Sequence, residues 1–175
     1  MKIICYAGLI LGLVVNSALA GKVADELNGK IEQRQGSDLL PAAANSLRGK
    51  SIIAFYYGAS WCLNCQKFNS KLTEFYNKAI EKHPNFQLVF VNRDKSDDSL
   101  KDYVFEEKMD WLILPRRNCP SVPLVRQFAT GHVPNLIILD ADGNQLAGTT
   151  PDGWNQSPSQ TLKKLKQLLD PSDPE

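Results

Sequence analysis

Residues 51–65 read Ser51-Ile52-Ile53-Ala54-Phe55-Tyr56-Tyr57-Gly58-Ala59-Ser60-Trp61-Cys62-Leu63-Asn64-Cys65, and the change of character along this stretch decides the fold. Ser51 to Tyr57 is almost wholly apolar and rich in β-branched and aromatic residues, as expected of a strand covered on both faces. Gly58-Ala59-Ser60 breaks it. From Gln66 onward Phe68, Leu72, Phe75, Tyr76, Ala79 and Ile80 recur at helical spacing, with Lys67, Lys71, Glu74 and Lys78 on the opposite side. The cysteine pair therefore stands where a strand passes into a helix. A thiolate in the first turn of a helix faces unpaired backbone N–H groups and the positive end of the helix dipole, which lowers its pKa and makes it a nucleophile near neutral pH. Cys65, three residues on, lies on the same side of that turn and is placed to close a disulfide or resolve a mixed one.

A bare CxxC also serves as half of a zinc site. Structural zinc requires four Cys or His ligands, and the chain carries no second CxxC or paired-His motif. Dithiol chemistry is therefore the preferred reading. At the N-terminus, Lys2, the apolar stretch Ile3 to Val15 and then Asn16-Ser17-Ala18-Leu19-Ala20 form the three regions of a secretory signal peptide over residues 1–20, with cleavage expected after Ala20. The apolar stretch is shorter than the roughly 18 to 20 residues that span a bilayer. Cys5 would be lost with this segment, leaving Cys62, Cys65 and Cys119. That odd count argues against a structural disulfide scaffold. Lys2 is the segment's only charged residue, so its loss brings the 20 basic side chains level with the 19 acidic ones. This balance gives no electrostatic case for binding nucleic acid or an anionic membrane.

The rest of the chain reads as one domain without internal repeats. Residues 21–48 form an N-terminal extension, 49–169 the domain and 170–175 a flexible tail. Phe86 to Val91 is a second buried strand, reached by a parallel crossover. A polar loop from Asn92 to Asp98 offers caps for a helix from about Ser99 to Lys108. The apolar Trp111 to Leu114 precedes an irregular segment, Pro115 to Pro123, which holds Cys119. A short helix over Leu124 to Ala129 leads to Gly131-His132-Val133-Pro134 and a third buried strand, Asn135 to Leu139. Asp140 to Asn144 turns the chain into an edge strand around Gln145 to Gly148, and a last helix runs from about Ser159 to Leu169.

The order βαβ, helix, ββα and the stretch Tyr56-Tyr57-Gly58-Ala59-Ser60-Trp61-Cys62-x-x-Cys65 resemble the tryparedoxin and nucleoredoxin branch of the thioredoxin-like superfamily. Further echoes are Val89 to Asp94, Asp110 to Pro115, and Val133-Pro134 before a strand ending Asp140-Ala141-Asp142-Gly143. Exported relatives of TlpA type share the architecture. The resemblance implies an α/β fold, a central mixed sheet flanked by helices, and thiol:disulfide oxidoreductase activity without a cofactor. By position it implies Cys62 as the attacking thiol, Cys65 as the resolving thiol, and Pro134 as a cis-proline beside the disulfide. Trp61, Val133 and Pro134 would line the substrate groove. Implied partners are proteins carrying disulfides or dithiols and a thiol electron donor, soluble or in the membrane, with the protein itself a monomer.

The sequence departs from this pattern in three places. Leu63-Asn64 replaces the Pro-Pro or Gly-Pro pair, and these residues tune thiolate stability and potential. Asn135 stands where Thr is usual. Tyr56 occupies the position of the buried Asp of thioredoxin itself, either as a packing group or as part of a proton route, and packing is the preferred reading. Cys119 is read as a small buried hydrophobe rather than a third redox thiol. His132 either decorates the groove or joins Cys62 and Cys65 in a soft-metal site, which defines the competing class of an exported metal-binding protein or copper metallochaperone on the same fold.

Overall fold

The computed structural model describes residues 21–149 and 156–171. The expected signal peptide, residues 1–20, and the end of the tail, 172–175, lie outside the described residues. In chain order the elements are α1 (Lys22–Leu27), β1 (Glu32–Gln35), β2 (Asp38–Pro41), β3 (Ile52–Gly58), α2 (Leu63–Lys82), β4 (Phe86–Asn92), α3 (Asp97–Glu106) and β5 (Leu112–Leu114). A 3-10 turn (Arg116–Ser121), α4 (Pro123–Gln127), β6 (Asn135–Asp140), β7 (Gln145–Gly148) and α5 (Pro158–Leu169) follow. The seven strands form one mixed sheet in the order β2-β1-β5-β4-β3-β6-β7. β3, β4 and β5 are parallel, β6 runs antiparallel to β3, and β7 closes a hairpin on β6. Among the described residues no helix is long and apolar enough to cross a membrane.

The central strands read as continuous apolar runs because both faces of the sheet are covered, and the two-residue period divides them. On one face Ala54 and Tyr56 of β3, Leu88 and Phe90 of β4 and Leu136 and Ile138 of β6 pack with Leu72 and Tyr76 of α2, Tyr103 of α3 and Leu165 of α5. On the other, Ile53, Phe55, Tyr57, Val89, Val91, Ile137 and Leu139 meet Val23 and Leu27 of α1 and Leu124 and Val125 of α4. The parallel crossover from β3 through α2 to β4 is as the sequence implies.

Local chemistry moves some boundaries. α2 begins at Leu63 with Cys62 as its N-cap, which puts the cysteine pair at the first turn of the helix, as the sequence implies. α3 begins at Asp97, two residues before the expected start, because the Ser96 side chain accepts the Ser99 amide and places Asp97 and Asp98 in the first turn. Ser157 and Gln160 form a reciprocal capping box at α5, with Pro158 at the first helical position. Trp111 to Leu114 supplies the short strand β5, and the segment expected to be irregular contains the 3-10 turn.

Residues 21–48 join the same body. β1 pairs antiparallel with β5 at Glu32↔Ile113, and β1 and β2 form a hairpin turned at Gly36, whose φ of 60° suits glycine. Val23 and Leu27 are fully buried under α4. Leu27→Ala is therefore expected to lower stability by about 2 to 5 kcal/mol, the range for truncating a buried leucine. Chemical denaturation of the folded protein measures this, and a change within error would mean that α1 contributes nothing to the cooperative unit.

Candidate active site

The site is built where β3 ends. Tyr57 pairs with Val91 on one side and Asn135 on the other, and the Arg93 amide donates to the Gly58 carbonyl at 2.9 Å. Gly58 leaves no room for a side chain, since an added Cβ would meet the Phe90 ring at 2.7 Å. The chain then turns, with the Cys62 amide donating to the Ala59 carbonyl at 3.2 Å, and enters α2. Cys62 caps this helix in an extended conformation, and its Sγ accepts the Cys65 amide at 3.1 Å. An N-cap sulfur is unusual, because Ser, Thr, Asp and Asn dominate the position. Here the backbone dipoles that normally stabilise a capping oxygen point at a sulfur.

Cys62 and Cys65 are joined in a disulfide, with Cα atoms 5.2 Å apart. They form a small cluster with Ala59 and Val133. The two sulfurs differ in access, since Cys62 retains 8% exposure and Cys65 none. Trp61 and Leu63 on either side of Cys62 are exposed by 64% and 70%. Opposite them the Val133-Pro134 peptide bond is cis, and the Val133 carbonyl oxygen lies 3.7 Å from Cys62 Sγ. The structure thus brings together Trp61, Cys62, Cys65, Val133 and Pro134. Trp61 stands outward, away from the core.

Tyr56 is fully buried, packs against Phe68 and Phe90, and donates its hydroxyl to the Cys65 carbonyl at 3.3 Å. Burial, reinforced by the neighbouring Tyr103, pushes its phenol far above the ordinary range. It therefore remains a neutral donor that positions the first turn of α2. Asn135, also buried, follows the cis bond, and its Nδ2 has no protein partner.

His132 is exposed, with Nδ1 3.1 Å from the Thr130 carbonyl. No group of three or more His, Cys, Asp or Glu residues among those described is arranged to hold a metal ion. Three residues that the sequence alone did not single out also belong to the site. Asp94, at 1% exposure, accepts both the amide and the hydroxyl of Ser60 at 2.8 Å through Oδ1, while Gln66 donates to the Ser60 carbonyl at 2.8 Å. The available signal was a Ser immediately before Trp61 and an Asp just beyond a buried strand, which is too common a pair to stand out.

Cys119 is a free, buried thiol, with Sγ 3.6 Å from the Pro115 carbonyl and 3.9 Å from that of Asn92. Burial pushes its thiol from 9.0 up to about 11, while Arg93 and Arg116 pull in the opposite direction.

These features agree with what the chain is similar to. The thioredoxin-like family model matches residues 49–145, more than half of the sequence, and the chain belongs to that family. Within it the relatives are thiol oxidoreductases of the tryparedoxin and nucleoredoxin type. Tryparedoxin of Trypanosoma brucei brucei is 36% identical over 122 residues, which cover 63% of this chain and 80% of the relative. Human nucleoredoxin is 30% identical over 151 residues, covering 81% of this chain but only 33% of that longer protein. The solved structure of tryparedoxin I from Leishmania major superposes with a TM-score of 0.61 at 30% identity, covering 87% of this chain and 99% of the other.

The raised thiol of Cys119 has a definite sign. The fold favours the neutral form, so its contribution to stability is complete below pH 9 and is lost as pH rises through about 11. Iodoacetamide is expected to label Cys119 in the native reduced protein near neutral pH far more slowly than in denaturant, and Cys119→Ala is expected to flatten the alkaline fall in stability. Mass mapping of the label checks this, and equal rates in the two states would return Cys119 to the list of reactive thiols.

Proposed function

We propose that this protein is an exported thiol:disulfide oxidoreductase that exchanges disulfides with protein partners through Cys62 and Cys65. The observation that carries the reading is the asymmetry of the pair. Cys62 reaches solvent between two exposed apolar side chains and beside the Val133 carbonyl, whereas Cys65 is sealed behind it. In the reducing direction the Cys62 thiolate attacks one sulfur of a partner disulfide. That S–S bond breaks, the other partner sulfur leaves as a thiolate, and Cys62 is held in a mixed disulfide. Cys65, losing its proton, attacks Cys62 Sγ and releases the second partner thiolate. The Cys62-Cys65 disulfide is left, two electrons have passed to the partner, and its thiolates take up protons. A dithiol partner drives the same steps in reverse.

Each wall of the site has a part in this scheme. The amide of Cys65 and the N-terminus of α2 favour negative charge on Cys62 Sγ. The backbone of Val133 lies beside the thiol, where an extended substrate segment can pair with it. Trp61 and Leu63 offer apolar surface to the residues around the partner's cysteine. An electron donor or acceptor thiol outside the protein completes the cycle. Measuring the Cys62-Cys65 potential against glutathione decides the direction of flow.

Export is supported by the charged, apolar and small-residue regions in Lys2 to Ala20. N-terminal mass analysis of protein exported by cells is expected to give a chain beginning at Gly21. A chain retaining Met1 in the membrane fraction would replace cleavage with anchoring.

For the chemistry itself, Cys62→Ser is expected to abolish reduction of insulin disulfides. Cys65→Ser is expected to accumulate a covalent partner adduct that reductant releases. Full activity in Cys62→Ser would show that another thiol attacks.

A further inference from the structure

Asp94 is the only buried carboxylate among the described residues. A buried carboxylate is costly unless its hydrogen bonds are made, and here Oδ2 has no protein partner at all. A buried carboxylate left half-satisfied, in the loop that meets Ser60, calls for an explanation. The bonds that Asp94 does make converge on one residue. Oδ1 accepts the Ser60 amide and the Ser60 hydroxyl, both at 2.8 Å. From the helix side Gln66 Nε2 donates to the Ser60 carbonyl at 2.8 Å.

Ser60 is thus held at its N–H, its hydroxyl and its carbonyl, two residues before Cys62. The support behind it is itself tied down. The Asp94 amide donates to Asn92 Oδ1 at 2.9 Å, and Arg116 Nη1 donates to the carbonyls of Arg93 and Asp94 at 3.3 and 3.5 Å.

We propose that Asp94, acting through Ser60 with Gln66, is a positioning residue for the proposed attacking thiol. It holds the Ser60-Trp61 segment so that Cys62 stays in the N-cap place, with Sγ on the Cys65 amide and beside the Val133 carbonyl. The assignment rests on the reading of Cys62 as the nucleophile and concerns how that sulfur is held. Between Gly58, fixed by strand pairing, and Cys62, fixed by its cap, only Ala59, Ser60 and Trp61 remain. Freeing Ser60 would let the cap move, and a thiol that leaves the helix N-terminus loses the dipoles that favour its thiolate.

Positioning and plain charge predict opposite shifts, which makes the test decisive. If Asp94 positions, Asp94→Ala raises the pH at which Cys62 becomes alkylable, because the cap loosens. If Asp94 acted only as a nearby negative charge, the same change would lower that pH by removing repulsion. Asp94→Asn separates the two further, since its amide oxygen still accepts from Ser60 but carries no charge.

The experiment measures, on reduced full-length mature protein, the pH profile of Cys62 alkylation and the rate of insulin reduction. Circular dichroism confirms folding of each variant. The expected result is an upward-shifted profile in Asp94→Ala and exchange slower by roughly ten- to a hundredfold, the scale produced by misplacing a reacting atom by about 1 Å. Asp94→Asn is expected to stay close to wild type in both. A folded Asp94→Ala with an unchanged or downward-shifted profile overturns the proposal, as does an Asp94→Asn profile that moves down.

Where Asp94→Ala does not fold, Ser60→Ala and Gln66→Ala remove two of the anchors and leave the carboxylate in place. They are expected to shift the profile upward, and unchanged profiles in both overturn the proposal. Alkylation reads Cys62 directly, so it remains informative even if Cys62→Ser shows that another thiol carries the exchange.

Discussion

The site depends on the bracketing of one strand end. β3 is paired on both edges, in parallel with β4 and antiparallel with β6, and Tyr57 faces Val91 on one side and Asn135 on the other. Because the two neighbours run in opposite directions, the C-terminal end of β3 lies beside the end of β4 and the beginning of β6. The residue preceding Asn135 is Pro134, joined to Val133 by a cis bond. The residues following Asn92 are Arg93 and Asp94, which reach across to Gly58 and Ser60. Three segments far apart in sequence therefore meet around Cys62 through backbone pairing, which tolerates no slip of register without turning every core side chain to the wrong face.

Within that frame the two cysteines acquire different characters from position alone. Cys62 ends the turn and caps the helix, so its sulfur takes the backbone amide that a capping oxygen would take elsewhere. Cys65 is one turn further in, clustered with Ala59, and has no exposure. Tyr56 fixes the carbonyl of Cys65 and stays neutral because it is buried. Polar groups around the sulfurs act as holders of backbone: Tyr56 on Cys65, Asp94 and Gln66 on Ser60.

Some properties distinguish this chain from the pattern it resembles. Leu63 is a large, exposed apolar residue directly after Cys62, and with Trp61 it flanks that cysteine with exposed apolar side chains. Both are among the few large hydrophobic side chains left exposed in the described residues, the others being Leu40 and Leu146. The N-terminal segment also contributes more than its polar sequence suggests. α1 covers one face of the sheet and the β1-β2 hairpin pairs along β5, which would otherwise be an open edge.

The sequence by itself determined the fold class, the three long central strands, the active-site helix and the place of the cysteine pair between strand and helix. These are strong local signals: continuous apolar runs, a helical period, and the break at Gly58-Ala59-Ser60 between them. It did not reveal β5, because three buried residues carry no readable period. The polar Glu32 to Gln35 gave no sign of β1, which is a strand because it pairs with β2 on one side and with the edge of β5 on the other. The resemblance pointed to Cys62, Cys65 and Pro134, but only tertiary structure decided that Trp61 turns outward, that Cys119 is sealed away, and that His132 is turned onto Thr130. It also decided that Asp94 grips Ser60. Burial and hydrogen-bond partners are set by segments arriving from elsewhere in the chain, and no local stretch of sequence carries that information.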